Sequence, residues 1–404
     1  MKSLQIERVE LRDVGPFSSL SISFPVQAGL NLVCGDNGIG KSTLLEAIVA
    51  AFSQGQLQRL KRRQAADGAG SLKVTFQAGE ERSHQEMAIE QFGPDALDWV
   101  SGGVELARSV INIRAARDFG YLRQVSISRD PSVNDQQTSQ SLANGLVPEE
   151  IKTWFSNRWL FRHHAEENNW SAEMRLNLEA AIGIFSLLDP SVRLAQVDTR
   201  TFDILVATPS GIIPFEYLSS GFRSAYILLL GIIKEIEFRA LNVAAHDFSG
   251  IIIIDEVELH LHPSWQRAIG NLLKTVFPSA QIIATTHSPH VIQSAQAAEV
   301  VALVRDPSGG VITRTVPSTK YGYAGWTLEE VLEDIMGVAD TRTPEFREAM
   351  SSFDSAVDEE DPNGVVAALD VLNDMLHPTN PLRKLLEITA APYIGAADLR
   401  GPHR

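Results

Sequence analysis

The stretch Gly35-Asp-Asn-Gly-Ile-Gly-Lys-Ser-Thr43 lies between a short apolar run, Leu30–Cys34, and a segment with apolar residues at Leu44, Leu45, Ile48, Val49 and Phe52. The run predicts a strand, and the spacing after it predicts one buried face of a helix over Ser42–Phe52. Strand, glycine-rich loop and helix in that order commit the chain to an α/β fold with a specific use. The glycines let successive backbone N–H groups turn toward one point, and the helix aims its positive end at the same point. The pattern G-x-x-x-x-G-K-[ST] is that of a loop wrapped around phosphate oxygens. Gly35, Asp36, Asn37, Gly38, Ile39, Gly40, Lys41, Ser42 and Thr43 are therefore the candidate nucleotide-binding residues. Lys41 is placed to reach the β- and γ-phosphates, and the Ser42 hydroxyl to ligate Mg²⁺.

Three later segments supply complementary chemistry. Ile251-Ile-Ile-Ile-Asp255-Glu256 is an unbroken β-branched run ending in two acids. Such a run suits a strand buried on both faces of a parallel sheet, whose C-terminal end forms the ligand crevice. Asp255 is the expected Mg²⁺ carboxylate, acting through water, and Glu256 the expected base that orients the attacking water. Gln281–Thr285 predicts another buried strand, and Thr286-His287-Ser288-Pro289 places His287 in the same crevice, within reach of the γ-phosphate or the water. Tyr217-Leu-Ser-Ser-Gly-Phe-Arg223 precedes a long apolar helix over Ser224–Phe238. Ser219 fits a helix cap, and a hydroxyl with glycine N–H groups at a helix start also makes an anion site. His260 and His262 have no nearby Cys or further His and read as polar contacts beside the crevice rather than metal ligands.

The organisation around these segments is uneven. Strands are expected at Gln5–Leu11, Ser19–Phe24 and Leu72–Phe76, and a hairpin from Val300–Arg305 with Gly310–Val316. Residues 1–92 form a first lobe, 93–204 a mostly helical insertion, 205–316 a second lobe and 317–404 an acidic helical tail. Within the insertion, Pro148–Phe161 and Ala172–Leu188 predict helices, while Asp130–Asn144 reads as polar loop. The net charge of −15 excludes a wholly basic nucleic-acid binder and leaves only a local patch for DNA or RNA. Arg59-Leu-Lys-Arg-Arg63 is the one such run. A single cysteine excludes an internal disulfide framework, and the charged N-terminus lacks the apolar run of a signal peptide. With no apolar stretch of membrane-spanning length, a cytoplasmic, non-membrane protein is the expectation.

The phosphate loop, Leu-Ser-x-Gly turn, Asp-Glu strand end and Thr-His-Ser-Pro segment, in that order, resemble the ABC-type P-loop ATPase superfamily. The opening Leu11-Arg-Asp-Val-Gly-Pro-Phe17, the run Gly29-Leu-Asn-Leu-Val-Cys-Gly-Asp-Asn-Gly38 and Glu258-Leu-His-Leu-His-Pro263 are similar to its soluble RecF/SMC-like, OLD-like branch. The resemblance covers residues 1–80 and 205–305. It implies an ABC-ATPase head with a mixed or parallel sheet and an ATP-sandwiched homodimer or higher oligomer. In that sandwich Ser219 and Gly221 of one copy clamp the γ-phosphate held by Lys41 of the other. Arg12 becomes a further phosphate or adenine contact. The Ser-Ser-Gly-Phe turn departs from the Ser-Gly-Gly-Gln of transporter ATPases. The interval from Lys41 to Ser219 carries no heptads, which argues against a long SMC-type coil. Gln77, Gln91 and Gln124 remain open as the Gln-loop residue of such heads.

The function expected on this basis is Mg²⁺-dependent ATP binding and hydrolysis that gates an effector. No apolar strand ending in an Asp-x-Asp pair follows His287, so the nuclease of OLD-like proteins is expected on a separate subunit. The resemblance extends to the ATPase subunit of Septu-like bacterial anti-phage systems, which pairs with an HNH nuclease. The alternatives are a RecF-like DNA-binding repair ATPase, supported by Arg59–Arg63, a nucleotide-sensing scaffold with little turnover, and a transporter ATPase.

Overall fold

The computed structural model describes residues 2–397 except 116, 118–119, 128–129, 132–133, 143, 318 and 339. The chain divides into two compact units, 1–338 and 339–404. It opens with β1 (Leu4–Val14) and β2 (Phe17–Ser23), continues into β3 (Gly29–Gly35) and enters α1 (Lys41–Ala50). Next come β4 (Gln54–Leu57), β5 (Gly70–Ala78), β6 (Glu81–Ile89), β7 (Asp98–Ser101) and β8 (Val110–Ile113). The middle holds α2 (Asp135–Ser141), α3 (Pro148–Phe161) and α4 (Ala172–Leu188), then β9 (Arg193–Val197), β10 (Ile204–Thr208) and β11 (Gly211–Pro214). The last part of the first unit runs α5 (Ser220–Phe238), β12 (Ile251–Ile254), α6 (Pro263–Val276), β13 (Gln281–Thr285), α7 (Pro289–Gln293), β14 (Val300–Arg305) and β15 (Val311–Arg314).

A six-stranded sheet in the order β15-β14-β3-β13-β12-β8 organises the first unit. All of it is parallel except β15, which closes the expected hairpin with β14. The four isoleucines of β12 are fully buried between β13 and β8, as their unbroken branching requires. Because five strands point the same way, the residues that follow β3, β12, β13 and β8 meet along one edge. A second, antiparallel sheet, β2-β1-β5-β6, encloses α1 with Phe17, Phe52 and Phe76 in the shared core. On the other face, α5 buries Tyr226, Leu229 and Ile233 against α3 and α4. The longest apolar run of the sequence is thus a core helix. Among the described residues no helix is long and apolar enough to cross a membrane.

Three boundaries differ from the sequence expectation. Val110–Ile113, inside the segment read as a helical insertion, is the edge strand of the central sheet. Three apolar residues around Asn112 are too few to separate a strand from a buried helical turn by pattern alone. Within Asp130–Asn144, Asp135–Ser141 is helical, started by a capping box in which Asn134 and Gln137 exchange side-chain and backbone bonds. Its residues are polar on every face, so no periodicity announced it. Finally, Tyr323, Val331 and Ile335 belong to the core of the first unit, so the second unit begins at 339 rather than 317.

That second unit contains helices Pro344–Asp358, Pro362–Met375 and Pro381–Ala397. Phe353, Val365, Leu369, Leu372 and Leu386 form its own core. Thr343 and Asp361 cap the first two helices with their side chains, and a proline follows each cap at the first helical position.

Candidate nucleotide site

The loop from β3 to α1 must reverse direction within a few residues. Gly40 has φ +109°, and a Cβ there would lie 2.4 Å from the Phe17 ring, so glycine is required both for conformation and for space. No side chain caps α1, which leaves its first N–H groups for an external anion. Lys41 is 5% exposed, and burial pulls its ammonium below the usual lysine range. Its Nζ donates to the carbonyls of Gly35 at 2.8 Å and Asp36 at 2.9 Å, which holds it across the mouth of the loop. Asp36, Asn37 and Gly38 are exposed at the tip, while Ile39 anchors the loop in the core.

The acids meet this loop. Ser42 Oγ donates to Asp255 Oδ1 at 3.1 Å, and Thr285 Oγ1 donates to the same oxygen at 2.6 Å. Thr285 Oγ1 also accepts from the backbone N–H of Glu256 at 2.8 Å, so one buried hydroxyl fixes both acidic residues. Glu256 sits at φ +50°, a left-handed conformation that a glutamate keeps only where its surroundings over-determine it. Glu258 Oε1 accepts from the backbone N–H of His287 at 2.5 Å, which ties the residue after β13, with its exposed ring, to the turn that follows the acid pair. Ser42, Asp255, Glu256 and His287 are therefore brought to one edge, as their positions after parallel strands required.

Three participants escaped the sequence patterns. Thr285 and Glu258 lie within segments already singled out, but their bonds depend on the β12–β13 register. Arg117 follows β8 and donates from Nη2 to the carbonyls of Asp255, at 3.3 Å, and Glu256. Burial pushes its guanidinium down to about 10, against the fields of Glu258, Asp255 and Glu256. Strand β8 ends beside β12, and Arg114 and Arg117 follow it in the chain. Gln77 and Gln124 instead bond the carbonyls of Gly79 and Ser126, and the Gln91 main chain bonds Asp98. Gln77 lies in β5 and Gln91 follows β6, both in the antiparallel sheet, whereas Gln124 lies in the segment that follows β8.

Ser219 is the first residue outside α5 but makes no side-chain cap bond, and it is exposed. Gly221 is buried against the segment that follows the acids: a Cβ on it would lie 2.8 Å from the His260 carbonyl. Ser224 Oγ donates to the Leu259 carbonyl at 2.8 Å, so the serine turn and the segment after the acid pair form one body. His262 caps α6 through its ring. Arg12 is exposed on β1, in register with Ser19 and Ser71, and no contact among the described residues ties it to the loop.

The basic run is internally committed. Arg59 and Arg63 pair with Glu46 and Asp13, Lys61 Nζ donates to the carbonyls of Gly93 and Ala96, and Arg62 reaches those of Glu90 and Ala66.

The donors fit Mg²⁺ bound together with a nucleotide. A hydroxyl and a carboxylate within hydrogen-bond reach at an open helix start match an ion that takes few protein ligands and completes its shell with phosphate and water. Among the described residues no group of three or more His, Cys, Asp or Glu is arranged to hold a metal unaided.

A family model described as "AAA domain, putative AbiEii toxin, Type IV TA system" matches residues 30–293. The Septu protein PtuA of Bacillus thuringiensis is 40% identical over 395 residues, covering 96% of this chain and 98% of that protein. A Septu protein PtuA of Bacillus mycoides (strain KBAB4) is 24% identical over 371 residues, covering 89% of this chain and 48% of that one. The "Retron Ec83 probable ATPase" of Escherichia coli is 30% identical over 145 residues, 36% of this chain and 26% of that protein.

Proposed function

This chain belongs to the AAA-domain family of that model and, by its identity along nearly the whole of both chains, to the family of the Bacillus thuringiensis Septu protein PtuA, and we propose that it is the ATP-gated subunit of a bacterial defence system. It is a P-loop ATPase. The observation that carries the finer reading is the bond from Ser42 to Asp255 at the open end of α1, with Thr285 and Glu256 attached.

In this reading Lys41 swings from the Gly35 and Asp36 carbonyls to the β- and γ-phosphates. Bound Mg²⁺ neutralises charge on the transferring phosphoryl group. Ser42 and Asp255 would hold that ion. Glu256 accepts a proton from the attacking water, and His287 contacts the γ-phosphate or that water. Asp36, Asn37, Gly38 and Thr43 complete the phosphate cradle, with Arg12 as an outlying contact.

Two copies then enclose the nucleotide. Ser219 keeps its hydroxyl out of any cap bond, and with Gly221 it supplies the second half of the enclosure to a neighbouring copy. ATP joins the two heads and hydrolysis releases them, and this cycle controls a separately encoded nuclease acting on nucleic acid. The names of the Septu and retron relatives support the defence setting. Direct DNA clamping through Arg59–Arg63 has less support, because Lys61 and Arg62 would have to give up bonds to main-chain carbonyls to reach a phosphate. The test is co-expression with native gene neighbours followed by purification. A co-purifying nuclease supports the proposal, and isolation alone under every nucleotide condition counts against it.

A further inference from the structure

Arg117 is a buried charge that nucleotide binding does not explain. It is 2% exposed, and its Nε and Nη1 have no hydrogen-bond partner among the described residues. A guanidinium costs much to bury unless its surroundings compensate it. Here the compensation comes from two main-chain carbonyls, those of Asp255 and Glu256, and from the carboxylates of Asp255, Glu256 and Glu258.

Described residues on both sides of it are bonded to the core. Upstream, the Ile113 carbonyl at the end of β8 accepts from the Asp255 N–H at 2.9 Å. Downstream, Lys152 Nζ donates to the Leu122 carbonyl at 2.6 Å, and Tyr121 Oη donates to Asp203 at 3.2 Å. Between these anchors, Arg117 meets the turn where Glu256 adopts φ +50°. Thr285 holds that turn by the N–H of Glu256, and Arg117 holds it by the flanking carbonyls.

We propose that Arg117 is a positioning residue for hydrolysis, whose guanidinium grips the carbonyls of Asp255 and Glu256 and so sets the direction of the Glu256 carboxylate. The proposal rests on Glu256 being the base. Arg117 acts through the main chain of the acid pair, so its removal weakens turnover and spares nucleotide binding.

The experiment compares the full chain with Arg117→Met, Arg117→Lys, Glu256→Gln and the Arg117→Met/Glu256→Gln double variant. Turnover, affinity for a non-hydrolysable ATP analogue and melting temperature are measured for each. Arg117→Met is expected to lose roughly 10- to 100-fold in kcat, as supporting residues around a catalytic group do. Analogue affinity stays within about threefold, because a residue needed only for the chemical step leaves binding intact. Arg117→Lys, which keeps charge and a donor, regains part of the loss. In the Glu256→Gln background, Arg117→Met lowers the residual turnover no further, since both act through one carboxylate. Full kcat in Arg117→Met, an equal loss of analogue affinity, or losses that multiply in the double variant overturns the proposal. If neither Arg117 variant folds, the residue is structural and the proposal falls. Full turnover in Glu256→Gln alone overturns the base assignment, and both readings with it.

Discussion

Ser42 and Asp255 stand 213 positions apart in the chain, and the hydroxyl of one donates to the carboxylate of the other across 3.1 Å. Neither residue is special by itself. Their meeting requires β3 and β12 to be parallel members of one sheet with β13 between them.

Asp255→Asn keeps the shape of the side chain and removes its charge. Thr285 still has an oxygen to bond, so the fold and melting temperature are retained. The Mg²⁺ concentration for half-maximal turnover is expected to rise roughly 10- to 100-fold, the usual cost of losing a group that supports a metal. Turnover titrated against Mg²⁺ checks this; an unchanged midpoint removes Asp255 from the metal site.

Ser219 and Gly221 are two positions apart and should respond in opposite ways. Gly221→Ala forces a methyl against the His260 carbonyl and should cost about 1–3 kcal/mol of stability, the usual range for overpacking. Ser219→Ala removes a hydroxyl that caps nothing, so its stability should stay within about 0.5 kcal/mol while ATP-dependent association is lost. Denaturant melts and sizing of both variants separate the two effects.

Cys34 gives a pH signature. Burial pushes its thiol from an ordinary 9.0 up to about 12. The folded state therefore keeps a proton that the unfolded chain loses, and stability falls as pH rises from 9.0 toward about 12. Native protein at mildly alkaline pH should resist alkylation by iodoacetamide, whereas denatured protein reacts at once. Rapid labelling of the native chain contradicts this burial.

The parts of the site that were legible in the sequence are those whose chemistry is local. The glycine loop, the isoleucine run ending in Asp255-Glu256 and the strand before His287 each carry their own context. Arg117, Thr285 and Glu258 were not legible, because their roles arise only when the ends of β8, β12 and β13 come together. The run Arg59–Arg63 reads as a basic patch in sequence, and only the fold shows that Lys61 and Arg62 are tied to main-chain carbonyls. Helix α2 stayed hidden because a capping box, rather than an apolar face, starts it.

That run yields its own prediction. Arg62→Ala removes bonds to the Glu90 and Ala66 carbonyls and should cost on the order of 1 kcal/mol. Any DNA affinity, and its salt slope, should be unchanged. A slope reduced by about one would restore the basic run as a phosphate contact.

The central claim is that ATP is enclosed between two copies of this chain, and mass measurement in solution tests it most directly. Glu256→Gln with ATP and Mg²⁺ should double its mass relative to nucleotide-free protein, or shift to a higher even-numbered assembly. Adding Lys41→Ala or Ser219→Ala should abolish the shift. A mass that ignores nucleotide, or a shift that survives both substitutions, contradicts the account.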